Sequence, residues 1–143
     1  MSYKDTLILV SADCPVEHGV VPASGKETPP AHVIQFELLS RNPYVYTHEE
    51  LLYQVHVRHK GVPEAEWETR REEIWNELFS KSHPCLRASA LPKKFGWGVH
   101  YDSEGRIALY AMESPEYQAW ASGERTSDGE GPKLLRAMRN KKA

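Results

Sequence analysis

Short apolar runs alternate with long polar connections along this chain, and the spacing of the apolar positions sorts those runs into elements. Thr6-Leu-Ile-Leu-Val10 is brief, apolar and β-prone, and Asp13, Cys14 and Pro15 follow at once. The pattern predicts a strand that empties into a Gly- and Pro-rich loop reaching Pro30. Residues 31–39 fit two readings. Pro29-Pro30 suits the first turn of a helix, whereas Val33, Ile34 and Phe36 also suit a strand; helix is the favoured reading, ending before Asn42-Pro43.

Thr47 followed by Glu50 has the spacing of a capping box, so a helix should run from Thr47 towards Lys60 with Leu51, Leu52 and Val55 as its buried stripe. Gly61 supplies a stop and Pro63 a new start. Trp67, Ile74, Trp75, Leu78 and Phe79 then recur at helical spacing, which predicts a second helix over residues 64–81. The two should pack as a helical hairpin.

The period changes after residue 96. Trp97–Tyr101 and Arg106–Met112 read as two strands around Asp102-Ser-Glu-Gly105, where Gly105 can take a positive φ. Alternation sets Trp97, Val99 and Tyr101 against Gly98 and His100, and Ile107, Leu109 and Ala111 against Ala108, Tyr110 and Met112. Neither face is purely polar, so both should be partly covered. Ser114-Pro115 then opens a short helix towards Trp120.

These elements predict an α+β fold: a short antiparallel sheet packed against the Thr47–Ser82 helical pair. Thr6–Val10 would be a third strand beside the hairpin, since an isolated ribbon is marginal. Residues 1–122 would form a single domain. Residues 123–143, broken by Gly123, Gly129 and Gly131, would be a basic C-terminal tail, mobile by default, with a short helix through Leu134, Leu135 and Met138 as the alternative.

Composition adds little until charge is placed along the chain. The formal net charge is -2, yet residues 123–143 carry six Lys or Arg against three acids, leaving the preceding body at -5. Such a body does not attract a polyanion through its overall field, and no recognition motif is present, so nucleic acid is not an expected partner. No apolar run approaches the roughly 20 residues that span a membrane. The opening Met-Ser-Tyr-Lys-Asp-Thr lacks the apolar run of a signal peptide, and the two cysteines read as reduced thiols, which together predict a cytoplasmic protein. A homodimer remains open, through the acidic helix face, a sheet edge or the basic tail.

Candidate chemistry concentrates between Pro84 and Tyr101, a stretch without an acidic residue. Arg87, Ser89, Lys93 and Lys94 could bind a phosphate or carboxylate, with Trp97 and Tyr101 covering an apolar part of the same ligand. Cys85 has cationic neighbours in sequence, and His100 or His83 could serve it as a base. No cysteine-enzyme signature surrounds it. Metal binding is not expected: Cys14 with His18, Cys85 with His83 and His100, and His56 with His59 all lack paired ligand motifs. Gly96-x-Gly98 lacks the third glycine of a dinucleotide fingerprint, and no cofactor is called for.

The segments Asp13-Cys-Pro15, Asn42-Pro-Tyr44, Glu50-Leu-Leu52, Pro84-Cys-Leu-Arg-Ala-Ser89, Phe95-Gly-Trp-Gly98 and Gly105-Arg-Ile-Ala-Leu-Tyr110 together resemble a family of small uncharacterised bacterial proteins. The resemblance extends from about Tyr3 to Tyr117 and leaves the tail outside. It implies one coherent domain of bacterial type and transfers no activity, substrate or cofactor. The expected function is therefore a non-enzymatic binding or interaction module for a small anionic ligand or a protein partner. The alternative is a small cysteine-dependent enzyme acting at Cys85 on an electrophilic or disulfide substrate.

Overall fold

A computed structural model describes residues 3–23, 29–122 and 132–139. Strand β1 (Thr6–Leu9) lies between β2 (Trp97–Tyr101), which it meets antiparallel, and β4 (Lys133–Arg136), which it meets parallel. Strand β3 (Ile107–Ala111) closes the hairpin with β2, giving the sheet order β3-β2-β1-β4. The α+β class and the β1–hairpin pairing follow the sequence reading. The sheet differs in being mixed: its fourth strand comes from the segment read as a tail or short helix. Backbone bonds from Lys133 N to the Asp5 carbonyl and from Ala137 N to the Leu9 carbonyl extend the pairing at both ends.

The helices pack on both faces. Helix α1 (Ala31–Arg41) and α2 (His48–His59) lie against one face, where Ile34, Leu38, Leu51 and Val55 meet Ile8, Val99, Tyr101 and Ile107. Residues 31–41 are thus helical, and α1 joins α2 in facing the sheet. The capping box forms: Thr47 Oγ1 accepts from the Glu50 N–H, and the Glu50 carboxylate accepts from the Thr47 N–H.

Helices α3 (Glu66–Thr69) and α4 (Arg71–Leu78) replace the single helix expected over residues 64–81. The Trp67 carbonyl accepts the Tyr53 hydroxyl at 2.6 Å, and Arg70 leaves the helical range at φ -111°. Ile74 and Leu78 pack on the back of α2 against Tyr53 and Val57, forming a second small core away from the sheet. Of the helical pair, α2 supplies the residues that pack with the strands in the main core.

A 3-10 turn (Leu86–Ala88) and α5 (Ala90–Lys94) connect that hairpin to β2. Helix α6 (Pro115–Ser122) covers the opposite sheet face, where Tyr117 and Trp120 meet Leu7, Leu9 and Val10. Among the described residues no helix is long and apolar enough to cross a membrane.

Candidate functional site

The sequence-predicted residues lie on both faces of the sheet. His100 lies on the α6 face of the sheet, stacked on Trp120 with ring centroids 4.5 Å apart, and its Nδ1 is 2.8 Å from the Tyr44 hydroxyl. Cys85 lies on the α1–α2 face, where the Tyr3 hydroxyl donates to its Sγ at 3.5 Å. Burial lowers the basicity of His100. The sheet stands between His100 and Cys85, so this pair is not brought together.

Arg87 and Lys94 have different neighbours. The Arg87 guanidinium donates through Nε to the Arg136 carbonyl at 2.9 Å, tying the 3-10 turn to β4. Lys93 and Lys94 end α5, and the charge of Lys94 reaches His32, which stacks on Phe95 at 5.2 Å. Trp97 donates through Nε1 to the Val20 carbonyl at 2.8 Å and packs on Phe36. Tyr101 is a core residue with no exposed surface. A ligand cannot rest on it without opening the core.

Two hollows of about 480 and 210 Å³ adjoin between α2 and the connection that follows α4. They share His48, Leu52 and His83. The larger continues past Trp75, Phe79 and Lys81, with Glu49 at its edge; the smaller runs past Leu51, Val55, Leu86, Cys85 and Ser89. Of the residues singled out in the sequence, His83, Cys85 and Ser89 are therefore brought together. Ser89 is partly committed: its hydroxyl caps α5 and donates to Gln35 at 2.8 Å.

His48 is the residue the sequence reading passed over. It is the first residue of α2, 1% exposed, and neither ring nitrogen has a hydrogen-bond partner among the described residues. Burial is the main cause that brings its pKa down to about 4, so the ring is neutral at physiological pH. A neutral imidazole presents one donor and one acceptor. In an apolar wall both are costly to leave unmade. The signal was available, since Leu51, Leu52 and Val55 stand three, four and seven positions after His48, placing it in phase with the buried stripe.

His83 is oriented by its own backbone. Its Nε2 lies 2.6 Å from the Leu78 carbonyl and must carry the proton, which in the neutral ring leaves Nδ1 as the acceptor. Both cysteines are free thiols. Among the described residues no group of three or more His, Cys, Asp or Glu side chains is arranged to hold a metal ion.

Beside Cys85, the Tyr101 hydroxyl is also buried without a partner among the described residues. Burial, then the nearby Cys85 and Tyr3, push its pKa up, so it stays protonated. Removing an unsatisfied buried hydroxyl while keeping the ring recovers part of its desolvation penalty. Tyr101→Phe should therefore stabilise the protein by about 1 kcal/mol, read as a higher urea midpoint. A lower midpoint would mean that the hydroxyl has a partner it depends on.

A family model described as a family of unknown function, DUF6157, matches residues 1–143. The match takes in the C-terminal segment that the resemblance over Tyr3–Tyr117 left out. No curated protein and no solved structure matches.

Proposed function

The chain belongs to the DUF6157 family of unknown function, and from that premise we propose that it is a binding module whose cleft takes a small, uncharged, largely apolar molecule bearing one hydrogen-bonding group. The orphaned ring of His48 carries this reading. The buried neutral imidazole lies in the wall of the cleft among Leu51, Leu52, Trp75 and Phe79, and a turn of its ring on ligand entry would supply one polar contact. Small-molecule sites combine apolar walls with a few fixed polar groups in this way.

Charge argues for a neutral occupant. An ionised ligand would have to shed its water beside His48, where burial already disfavours a charge. The Arg87 guanidinium is bonded to the Arg136 carbonyl and Lys94 stands by His32, while Lys81 at the cleft is accompanied by Glu49.

Three probes of similar bulk test the reading by ¹H–¹⁵N NMR titration: 4-ethylphenol, 4-phenylbutan-2-one and 4-phenylbutanoate. The phenol and the ketone should shift Leu51, Leu52 and His48 resonances, and the carboxylate should not. His48→Phe should weaken ketone binding by about tenfold, the equivalent of one hydrogen bond to a neutral partner. Tighter binding of the carboxylate would sink the uncharged-ligand reading.

A further inference from the structure

We propose that Cys85 is a covalent capture site for α,β-unsaturated carbonyl compounds that enter the His48 cleft. The inference rests on the proposed binding of uncharged apolar molecules there and adds the chemistry that such a molecule would meet. Cys85, His48 and His83 line the same hollow, which is otherwise walled by Leu51, Leu52, Val55 and Leu86. The cysteine is not an isolated feature of this surface. The second observation is His48, 1% exposed and unpartnered among the described residues; its ring nitrogens are covered while the hollow is empty, and a turn of the ring as a ligand enters would bring an N–H to the carbonyl oxygen.

The reaction balances without a further reagent. The Cys85 sulfur forms a bond to the β-carbon as the C=C π bond breaks, and the electron pair passes to the carbonyl oxygen as an enolate. A hydrogen bond from His48 stabilises that developing charge. The thiol proton is taken up at Nδ1 of His83, the acceptor left by its Leu78 bond, and is returned to the α-carbon. The product is a thioether with no leaving group, so the protein gains the full mass of the reagent. Capture is stoichiometric.

Cys14 provides the internal comparison. It is also a free and half-buried thiol, but it packs against the Leu7, Leu9, Val10, Tyr117 and Trp120 core on the α6 face of the sheet. The probe is 4-phenyl-3-buten-2-one, with labelling followed by intact mass and peptide mapping. In the folded protein Cys85 should label about tenfold faster than Cys14, the factor expected from one hydrogen bond to the reacting carbonyl. Denaturant should erase the difference. Excess 4-phenylbutan-2-one, which cannot react, should slow Cys85 and leave Cys14 unchanged. Cys85→Ser should abolish the fast adduct.

His48→Phe should bring the Cys85 rate down towards that of Cys14. His48→Asn, which keeps a side-chain N–H, should restore part of it. Cys14 labelling and far-UV circular dichroism in both variants report whether they are folded. Equal labelling of the two cysteines in the folded protein overturns the inference. If the ketone still shifts the cleft resonances in that case, the binding reading stands and only the covalent step fails. Absence of ketone-induced shifts overturns the binding reading and the inference with it.

Discussion

Gly96→Ala should lower the stability of the protein by about 3 kcal/mol, about 10 °C in melting temperature for a domain of this size. Gly96 follows α5 at φ +76°, in the left-handed region that an L side chain enters at a cost. A Cβ there would also lie 2.4 Å from the His18 carbonyl oxygen and 3.1 Å from the Met112 sulfur. The first of these is backbone, held close by the bond from Val20 N to the Phe95 carbonyl, while Met112 N bonds the Gly96 carbonyl. Little nearby can give way.

Gly61→Ala separates the two contributions. Gly61 has φ +69°, but among the described residues nothing lies within 4 Å of its added Cβ, so its loss should be the conformational part alone, about 1 kcal/mol. Thermal melts of the two variants settle the matter. Equal losses would show that the loop at His18 moves aside and that the collision contributes nothing.

The elements read correctly from the sequence are those whose burial has a period. Leu51 and Val55 face the sheet while Tyr53 and Val57 face α4, because α2 is covered on two sides. The β2–β3 hairpin shows the same logic at period two, with Tyr101 and Ile107 on one face and Tyr110 and Met112 on the other. Strand β4 has no such signature. Leu134 is exposed and Leu135 only half-buried. Its place is secured mainly by backbone pairing to β1 and by Arg136, whose guanidinium donates to the Val10 carbonyl at 2.7 Å. Hydrogen bonding of that kind leaves no apolar pattern to find.

The site was half legible for a related reason. Arg87, Lys93 and Lys94 are near one another in sequence, but they sit on the 3-10 turn and α5, and Arg87 goes to the Arg136 carbonyl while Lys94 stands by His32. His83 and Cys85 do face one hollow, because the connection carrying them runs along α2. Their partner His48 precedes them by some thirty-five residues, so only the fold relates them. Its helical phase with Leu51 and Leu52 marks it as buried, yet burial by itself does not reveal that both ring nitrogens lack partners.

Acid should weaken the fold through His48, by about 2 kcal/mol between about pH 7 and about pH 5. The folded ring has a pKa of about 4 against 6.5 in its ordinary state. Between those values the unfolded chain binds the proton and the folded chain does not. The unfolded state therefore carries more protons, and stability falls as pH drops through the window. This contribution is fully present above 6.5 and is lost progressively towards 4, below which both states are protonated.

His32, His56 and His100 are lowered in the same direction by burial and steepen the slope. The charged or titratable groups that line the cleft with His48 are Glu49, Lys81, His83 and Cys85. Urea midpoints of the wild type and His48→Phe isolate the share of His48, since the variant should lose less stability over the same interval. A direct NMR titration of the ring then bears on the ligand. A ring that stays neutral down to about pH 4 has a dry environment and suits an uncharged partner. A ring titrating near its ordinary value would mean that water reaches both nitrogens, removing the physical basis for an uncharged occupant.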